Sequence, residues 1–475
     1  MAAPKSGSGK TLITCALLGA LKLDKKEAAA FKCGPDYIDP MFHRTVLGMP
    51  SENLDIFFDG EDGVRNRLRE KAKGYDIAVI EGVMGLYDGM SADSDENSAY
   101  HIAKTTGTPI ILVIDAKGMG RSVCALIRGF LDLDTQKLIR GVILNRVNEA
   151  VYNMLKPVIE KETGIKAVGF FPEMPELKIE SRHLGLKMPD EINEIKRRLE
   201  AAARQMIKTG GYSRIFEIAA AAETLKISER ETASSTNVLS ENERCGVEIL
   251  SGRSTLDKAG LTLAVARDEA FCFYYQANLD MFEKAGIAIE FFSPLHDKNI
   301  PENADGLLLG GGYPELYVGR LSENESMRKS IKAAISNGMP SLAECGGFMY
   351  LHDAIKIDGK EYQMAGVVKG KASNTGRLVR FGYVEIEEKE PVFLKIKSRI
   401  RGHEFHYFDS TDNGSSCVAA KPANGKSWEC VHSGANHFWG FAHLYYPSAP
   451  KFTECFIKEM KKFSDIRRGK IQAGI

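Results

Sequence analysis

Cys345 and His443, about a hundred residues apart, are the residue types of a nucleophile and its base. Cys345 stands in Ala343-Glu344-Cys345-Gly346-Gly347 and His443 in Gly440-Phe441-Ala442-His443-Leu444-Tyr445. Small residues on both sides of a cysteine permit a sharp strand-to-helix turn that raises the thiol. A histidine can deprotonate it, and the thiolate can then attack an amide or ester carbonyl while nearby backbone amides receive the oxyanion.

The other end of the chain suits phosphate. Ser6-Gly7-Ser8-Gly9-Lys10-Thr11 is a glycine-rich turn that passes into a helix, whose amide end faces an anion. Gly7, Ser8 and Gly9 let backbone amides point inward, Lys10 can reach the β and γ oxygens of ATP, and Thr11 can offer its hydroxyl to Mg²⁺. Pro4 stands where the usual pattern has glycine, and only Met1-Ala2-Ala3-Pro4 precedes the loop. The expectation is a shortened leading strand or a start further upstream.

Acidic groups after strands could hold the metal. Glu81 follows Asp76-Ile77-Ala78-Val79-Ile80 and is the metal candidate beside Thr11, whereas Asp88, at the other end of the same glycine-rich turn, either contacts substrate or orients the turn. Lys32-Cys33-Gly34-Pro35-Asp36-Tyr37-Ile38-Asp39-Pro40-Met41-Phe42-His43 is too polar and punctuated for a core segment. Lys32 could bind a substrate carboxylate or a transferring phosphoryl group, and Asp36 and Asp39 could hold metal or position an acceptor. With Tyr37 and Asp88 they form the substrate-side set.

The elements that must position these residues alternate. Runs at 76–80, 109–114 and 139–144 read as buried parallel strands, with helices at 11–21, 63–73 and 122–131. Residues 217–223 read as an alanine-rich helix, followed by an exposed linker. A second alternation then begins, with strands at 261–266, 287–291 and 306–309 and a helix at 273–285.

Composition excludes some functions. The 475 residues carry 63 basic and 63 acidic side chains, a balance that does not favour nucleic acid as a partner. No apolar run approaches the ~20 residues that span a bilayer, so no membrane partner is expected. Nine scattered cysteines without a CxxC pair, one of them needing a free thiol, point to the cytoplasm.

Seven segments in order resemble the cobyrinic acid a,c-diamide synthase family, including the similar enzymes that amidate nickel-sirohydrochlorin. They are 6–11, 32–43, 81–89, Ser181-Arg182-His183-Leu184-Gly185-Leu186, Gly310-Gly311-Gly312-Tyr313-Pro314-Glu315-Leu316-Tyr317, 343–347 and Arg401-Gly402-His403-Glu404-Phe405-His406-Tyr407. The resemblance implies an α/β chain in two parts. A dethiobiotin-synthase-like P-loop ligase domain spans 1–223, a linker 224–258, and a class I glutamine amidotransferase domain 259–475. It further implies L-glutamine, ATP with Mg²⁺, and a corrinoid or related tetrapyrrole polycarboxylate as partners. Cys345 would form a γ-glutamyl thioester, with His443 as base, and the amides of Gly346 and of Gly311 or Gly312 would hold the oxyanion. ATP would activate the a and c acetates as acyl phosphates, which ammonia attacks.

His437, His432, His403 and His406 compete with His443. The family pattern selects His443, and His403 and His406 read as support for a substrate pocket rather than as metal ligands. Tyr445 stands where many class I amidotransferases carry the third triad carboxylate. Two readings stand apart from the main one: cobyric acid synthase, with the same domain pair, and a partition-type ATP switch, for which a cysteine domain has no use.

Overall fold

The computed structural model describes residues 1–174, 189–222, 260–394 and 396–469, with side chains omitted at 189–193. The expected linker at 224–258 and the segment Ser181–Leu186 lie outside the described residues. The chain divides into two compact units, Met1–Ser228 and Glu229–Ile475.

In the first unit, β-branched and alanine-rich runs form six parallel strands: β1 (Ala28–Cys33), β2 (Ser51–Leu54), β3 (Ile77–Glu81), β4 (Ile110–Asp115), β5 (Ile139–Asn145) and β6 (Lys166–Phe171). They pair in the orders β2-β1-β3 and β4-β5-β6. Met1–Ala3 sit between the two groups. The Met1 carbonyl accepts from Gly82 N at 2.8 Å, Ala2 N donates to the Ile111 carbonyl at 3.0 Å, and the Ala2 carbonyl accepts from Val113 N at 2.7 Å. These residues take the place of the expected shortened strand. Beside them a cavity of about 350 Å³ separates β3 from β4, walled by Ile77, Val79, Ile110, Ile111 and Ile215. One face of the sheet carries Phe31, Leu112, Leu144 and their neighbours. The other receives helix α1 (Lys10–Leu23), with Leu17, Leu18 and Leu21 inward, and the helix Pro189–Thr209 packed on it. Burial on both faces explains why the strands read as continuous apolar runs.

The second unit opens with β7 (Thr262–Ala266), β8 (Phe271–Phe273), β9 (Ala288–Phe292), β10 (Gly306–Leu309), β11 (Gly311–Gly312) and β12 (Ser341–Glu344). Then follow β13 (His352–Ile357), β14 (Lys360–Gln363), β15 (Val368–Asn374), β16 (Arg380–Glu388), β17 (Ile400–His406), β18 (Phe408–Ser410), β19 (Cys417–Ala420), β20 (Ser427–Cys430), β21 (His432–Gly434), β22 (His437–Gly440) and β23 (His443–Tyr445). The central sheet runs β21-β22-β12-β10-β7-β9, and a second sheet, β20-β19-β16-β17-β23, carries β17 beside β23. The strands expected at 261–266, 287–291 and 306–309 are present within a residue. The helix expected at 273–285 is shorter, Gln276–Lys284, because Phe271–Phe273 instead pairs antiparallel with Gly311–Gly312. The helix expected at 63–73 is longer, starting at Ile56 on an Asp55 cap and kinking at Gly60, whose φ is 69°.

Candidate active sites

Gly7 and Gly9 have φ of 78° and 91°, the left-handed region where glycine is favoured. They turn the chain into α1, whose start carries no side-chain cap, so its first amides are left for an anion. A Cβ on Gly9 would lie 2.1 Å from Asn145 Nδ2, and that amide donates to the Ser8 carbonyl at 2.8 Å. Asn145, at the carboxyl end of β5, thus ties the loop down. Sequence reading missed it; the available signal was a polar residue ending an apolar strand in an open α/β sheet.

Behind the loop the charges are dense. Thr11 Oγ1 donates to Glu81 Oε1 at 2.6 Å and Lys10 Nζ donates to the Met84 carbonyl at 2.6 Å. Lys32, 3% exposed, donates to Asp39 and to Glu81 Oε1 at 2.9 Å, with Asp36 Oδ2 at 3.9 Å. Burial pulls the Lys32 ammonium down, but Glu81, Asp39 and Asp36 outweigh it and hold its pKa well above the ordinary lysine value. Burial, and then the charge of Lys32, lowers Lys10. Burial raises Asp36 and Asp39. His43 Nε2 lies 3.6 Å from Glu81 Oε2, and burial pushes the imidazole down to about 4, so it is neutral near pH 7.

The site therefore gathers Lys10, Thr11, Lys32, Asp36, Asp39 and Glu81. Lys32 does not stand free for a substrate carboxylate: its charge is already shared among carboxylates. Asp36 Oδ1 accepts from Ile38 N at 2.8 Å, and Tyr37 precedes the short helix Ile38–Phe42. Asp88 Oδ2 accepts from Gly85 N at 2.8 Å, the turn-orienting alternative.

In the second unit Cys345 joins β12 to the helix Gly346–Leu351 with φ 46° and ψ −104°, a strained conformation for a non-glycine residue. Cys345 N donates to the Gly440 carbonyl at 2.9 Å, and Gly347 N to the Gly310 carbonyl at 2.9 Å. The thiol is raised far above its ordinary value by burial and then by the carboxylates of Glu315, Glu404 and Glu344. The Gly346 amide, next in the chain, partly offsets the rise in the thiol's pKa. His443, 3% exposed, is lowered to about 3 by burial and then by His403 and His406, so the ring is a neutral base.

The glycine segment 310–312 bridges the pair. A Cβ on Gly311 would fall 2.1 Å from His443 Cε1, and one on Gly346 would fall 2.9 Å from Pro314 Cδ and 3.2 Å from Gly312 N. Only glycine lets this backbone approach both catalytic candidates. Residues not foreseen hold it. Tyr274 Oη accepts from Gly310 N at 2.9 Å, and buried Asn278 clamps the segment after His443, donating to the Leu444 carbonyl at 2.8 Å and accepting from Tyr446 N at 2.9 Å. Gly310 N is thereby engaged.

Of the competing histidines, His437 sits away from the cysteine turn and two others border His443. His437 stacks on Trp439 at 4.2 Å and pairs with Ser341, at the opposite end of the β12–β22 ladder from Glu344. His403 lies opposite His443 in the β17–β23 register, and His406 stacks on Phe441 at 4.3 Å. Among the described residues no group of three or more His, Cys, Asp or Glu side chains is arranged to hold a metal ion. No helix among them is long and apolar enough to cross a membrane.

Residues 1–186 match the family described as "CobQ/CobB/MinD/ParA nucleotide binding domain", and residues 262–445 match "CobB/CobQ-like glutamine amidotransferase domain". The chain is 40% identical to the "Cobyrinate a,c-diamide synthase" of Caldanaerobacter subterraneus subsp. tengcongensis over 449 residues, 94% of each chain. It is 39% identical to the protein of that name in Fusobacterium nucleatum, over 96% of this chain and 98% of the other. With the protein of the same name in Listeria innocua it shares 37% identity over 95% of this chain and 96% of the other. A nucleotide-binding unit followed by a glutamine amidotransferase unit, matched end to end by relatives of one name, shows that the chain belongs to the cobyrinate a,c-diamide synthase family.

Proposed function

We propose that this chain amidates the a and c acetate carboxylates of cobyrinic acid, using ATP and ammonia drawn from glutamine. The observation that carries the reading is one chain bearing both a strained cysteine turn with a neutral buried histidine and a phosphate loop backed by buried carboxylates. In the glutaminase half, His443 takes the Cys345 proton as sulfur attacks the glutamine amide carbon. The oxyanion is met by the Gly346 amide and by that of Gly311 or Gly312, and His443 returns the proton to departing ammonia. Water then releases glutamate from the thioester.

In the ligase half, the amides of Gly7 to Lys10 and the Lys10 ammonium cradle the phosphates of ATP. Lys10 must exchange the Met84 carbonyl for a phosphate oxygen. An acetate oxygen attacks the γ-phosphorus, ADP leaves, and ammonia displaces phosphate from the acyl carbon. Thr11 and Glu81 fit Mg²⁺: both are hard oxygen ligands, and Glu81 Oε2 is buried without a hydrogen-bond partner. The ion would neutralise charge on the transferring phosphoryl group. Lys32 orients Glu81 and Asp39, Asp36 and Tyr37 border the acceptor, and Asp88 holds the Gly85 turn beside them.

The test is mass-resolved amidation of purified protein with ATP, Mg²⁺ and glutamine, offering cobyrinic acid and nickel-sirohydrochlorin in parallel. Two successive exchanges of hydroxyl for amine on cobyrinic acid are expected, lost with glutamine in Cys345→Ala and restored in that variant by ammonia. Lys10→Met should lose product with either nitrogen source. Amidation of nickel-sirohydrochlorin alone would reassign the macrocycle, and amidation of neither would sink the reading.

A further inference from the structure

The segment Arg401–Tyr407 does more than support the glutaminase strand. Beneath β17 lies a cavity of about 20 Å³, room for one molecule the size of water, and Glu404, His406 and Asn413 line it. Glu404 is 3% exposed and His406 6%. Glu404 Oε2, His406 Nε2 and Asn413 Oδ1 are each buried with no hydrogen-bond partner. All three are acceptors. His406 Nδ1 lies 2.6 Å from the Phe408 carbonyl, so that nitrogen carries the proton and Nε2 offers a lone pair. Asn413 Nδ2 donates to Asp409 Oδ1 at 2.9 Å, which turns its oxygen the other way.

Glu404 Oε2 and His406 Nε2 face each other at 3.6 Å. That is too far for a hydrogen bond, and it is a separation that one small donor can span with ordinary bonds to each. Three unmet buried acceptors cost free energy until a donor arrives. Water brings only two protons. The wall charges also choose: Glu404 and Asp409 are negative and Arg380, whose guanidinium lies over Trp428 at 4.7 Å and donates to the Val379 carbonyl at 3.2 Å, is positive. The one excess carboxylate on this wall suits a monovalent cation. Cys430 contributes a neutral thiol, raised to about 12 by burial and then by Glu404.

The cavity also adjoins the glutaminase. Its wall Phe441 packs edge-on to Phe348, in the helix that begins after Cys345, at 5.2 Å, and β17 pairs with β23, where His443 lies. We infer that this acceptor-lined cavity binds ammonium, with Glu404, His406 and Asn413 each receiving one N–H. The inference rests on the proposed glutaminase activity for the source of the ion; the binding itself requires no turnover.

Trp428 lines the cavity and is one of two tryptophans, so its fluorescence reports occupancy. The intact protein is titrated with ammonium chloride, potassium chloride and sodium chloride at constant ionic strength, without glutamine or ATP. Saturable ammonium binding is expected, with potassium, of similar size, competing more weakly and sodium least. Trp428→Phe should remove the signal and Trp439→Phe keep it. Glu404→Gln and Asn413→Leu should each weaken binding about tenfold or more, in protein whose thermal unfolding shows that it is folded. Absence of saturation, tighter binding of potassium than of ammonium, or wild-type affinity in both folded variants would overturn the assignment. Glutamate release from glutamine, assayed on the same samples, separates this failure from failure of the glutaminase reading.

Discussion

Lys32 has no freedom to leave its carboxylates cheaply. It is buried against Asp39 and Glu81, with Asp36 nearby, and removing it would leave like charges facing one another away from water. Lys32→Met should therefore lower the stability of the first unit by about 3–5 kcal/mol, read as a fall in the urea midpoint; Lys32→Arg should recover part of it. An unchanged midpoint would show that the carboxylates are protonated and the lysine dispensable. At this scale the sequence is informative about residues whose chemistry is unusual for a core. Cys345, His443, Lys10, Thr11 and Glu81 all stand out by type and by small neighbours. Asn145 does not, because an asparagine ending a strand is ordinary until Ser8, distant in sequence, is seen accepting from it. Lys32 stands out by type, but its engagement by three carboxylates depends on side chains brought from separate elements.

The glycine segment of β11 is where one element sets the geometry of another. Gly311 has no space for a side chain beside His443, whereas the glycine-rich loop at Gly7–Gly9 lies in the other unit. Gly311→Ala should displace the imidazole and lower glutamine-dependent amidation by about a hundredfold or more, leaving ammonia-dependent amidation unchanged. Comparable loss with both nitrogen sources would place the damage outside the glutaminase. The pairing that fixes this segment also explains the misjudged helix start. Phe271-Cys272-Phe273 continues the apolar pattern of the following helix, and its partner is Gly311–Gly312, so a local period carries no trace of the ladder. By contrast β3, β4, β5, β7 and β10 are legible because strands buried on both faces declare themselves as unbroken apolar runs.

Taken whole, the chain is electrically balanced, and its pH response comes from a few buried groups. Burial lifts the Glu344 carboxyl from 4.5 to about 8, where it accepts from Tyr446 Oη at 2.7 Å. Folded Glu344 thus keeps a proton that the unfolded chain has lost, and this contribution to stability falls as pH rises from 4.5 to 8. His403 and His443 act in the opposite sense: held neutral by burial down to about 4 and about 3, they cost stability as pH falls below 6.5. Unfolding of the second unit should therefore become easier between pH 6.5 and 8, and Glu344→Gln should flatten that slope, an effect on the order of a few kcal/mol. Equal slopes in the two proteins would mean that the carboxyl is ionised in the folded state.

The turn at Cys345 sets a cost in stability. A thiol borne at φ 46° occupies backbone space that glycine enters without strain. Cys345→Ala removes the sulfur and keeps the tension; Cys345→Gly removes both. Of these two variants the glycine form should melt at the higher temperature, by an amount corresponding to about 1 kcal/mol. At this one position the enzyme is less durable than it could be, and the difference measures what a side chain at this backbone angle costs the fold that holds it.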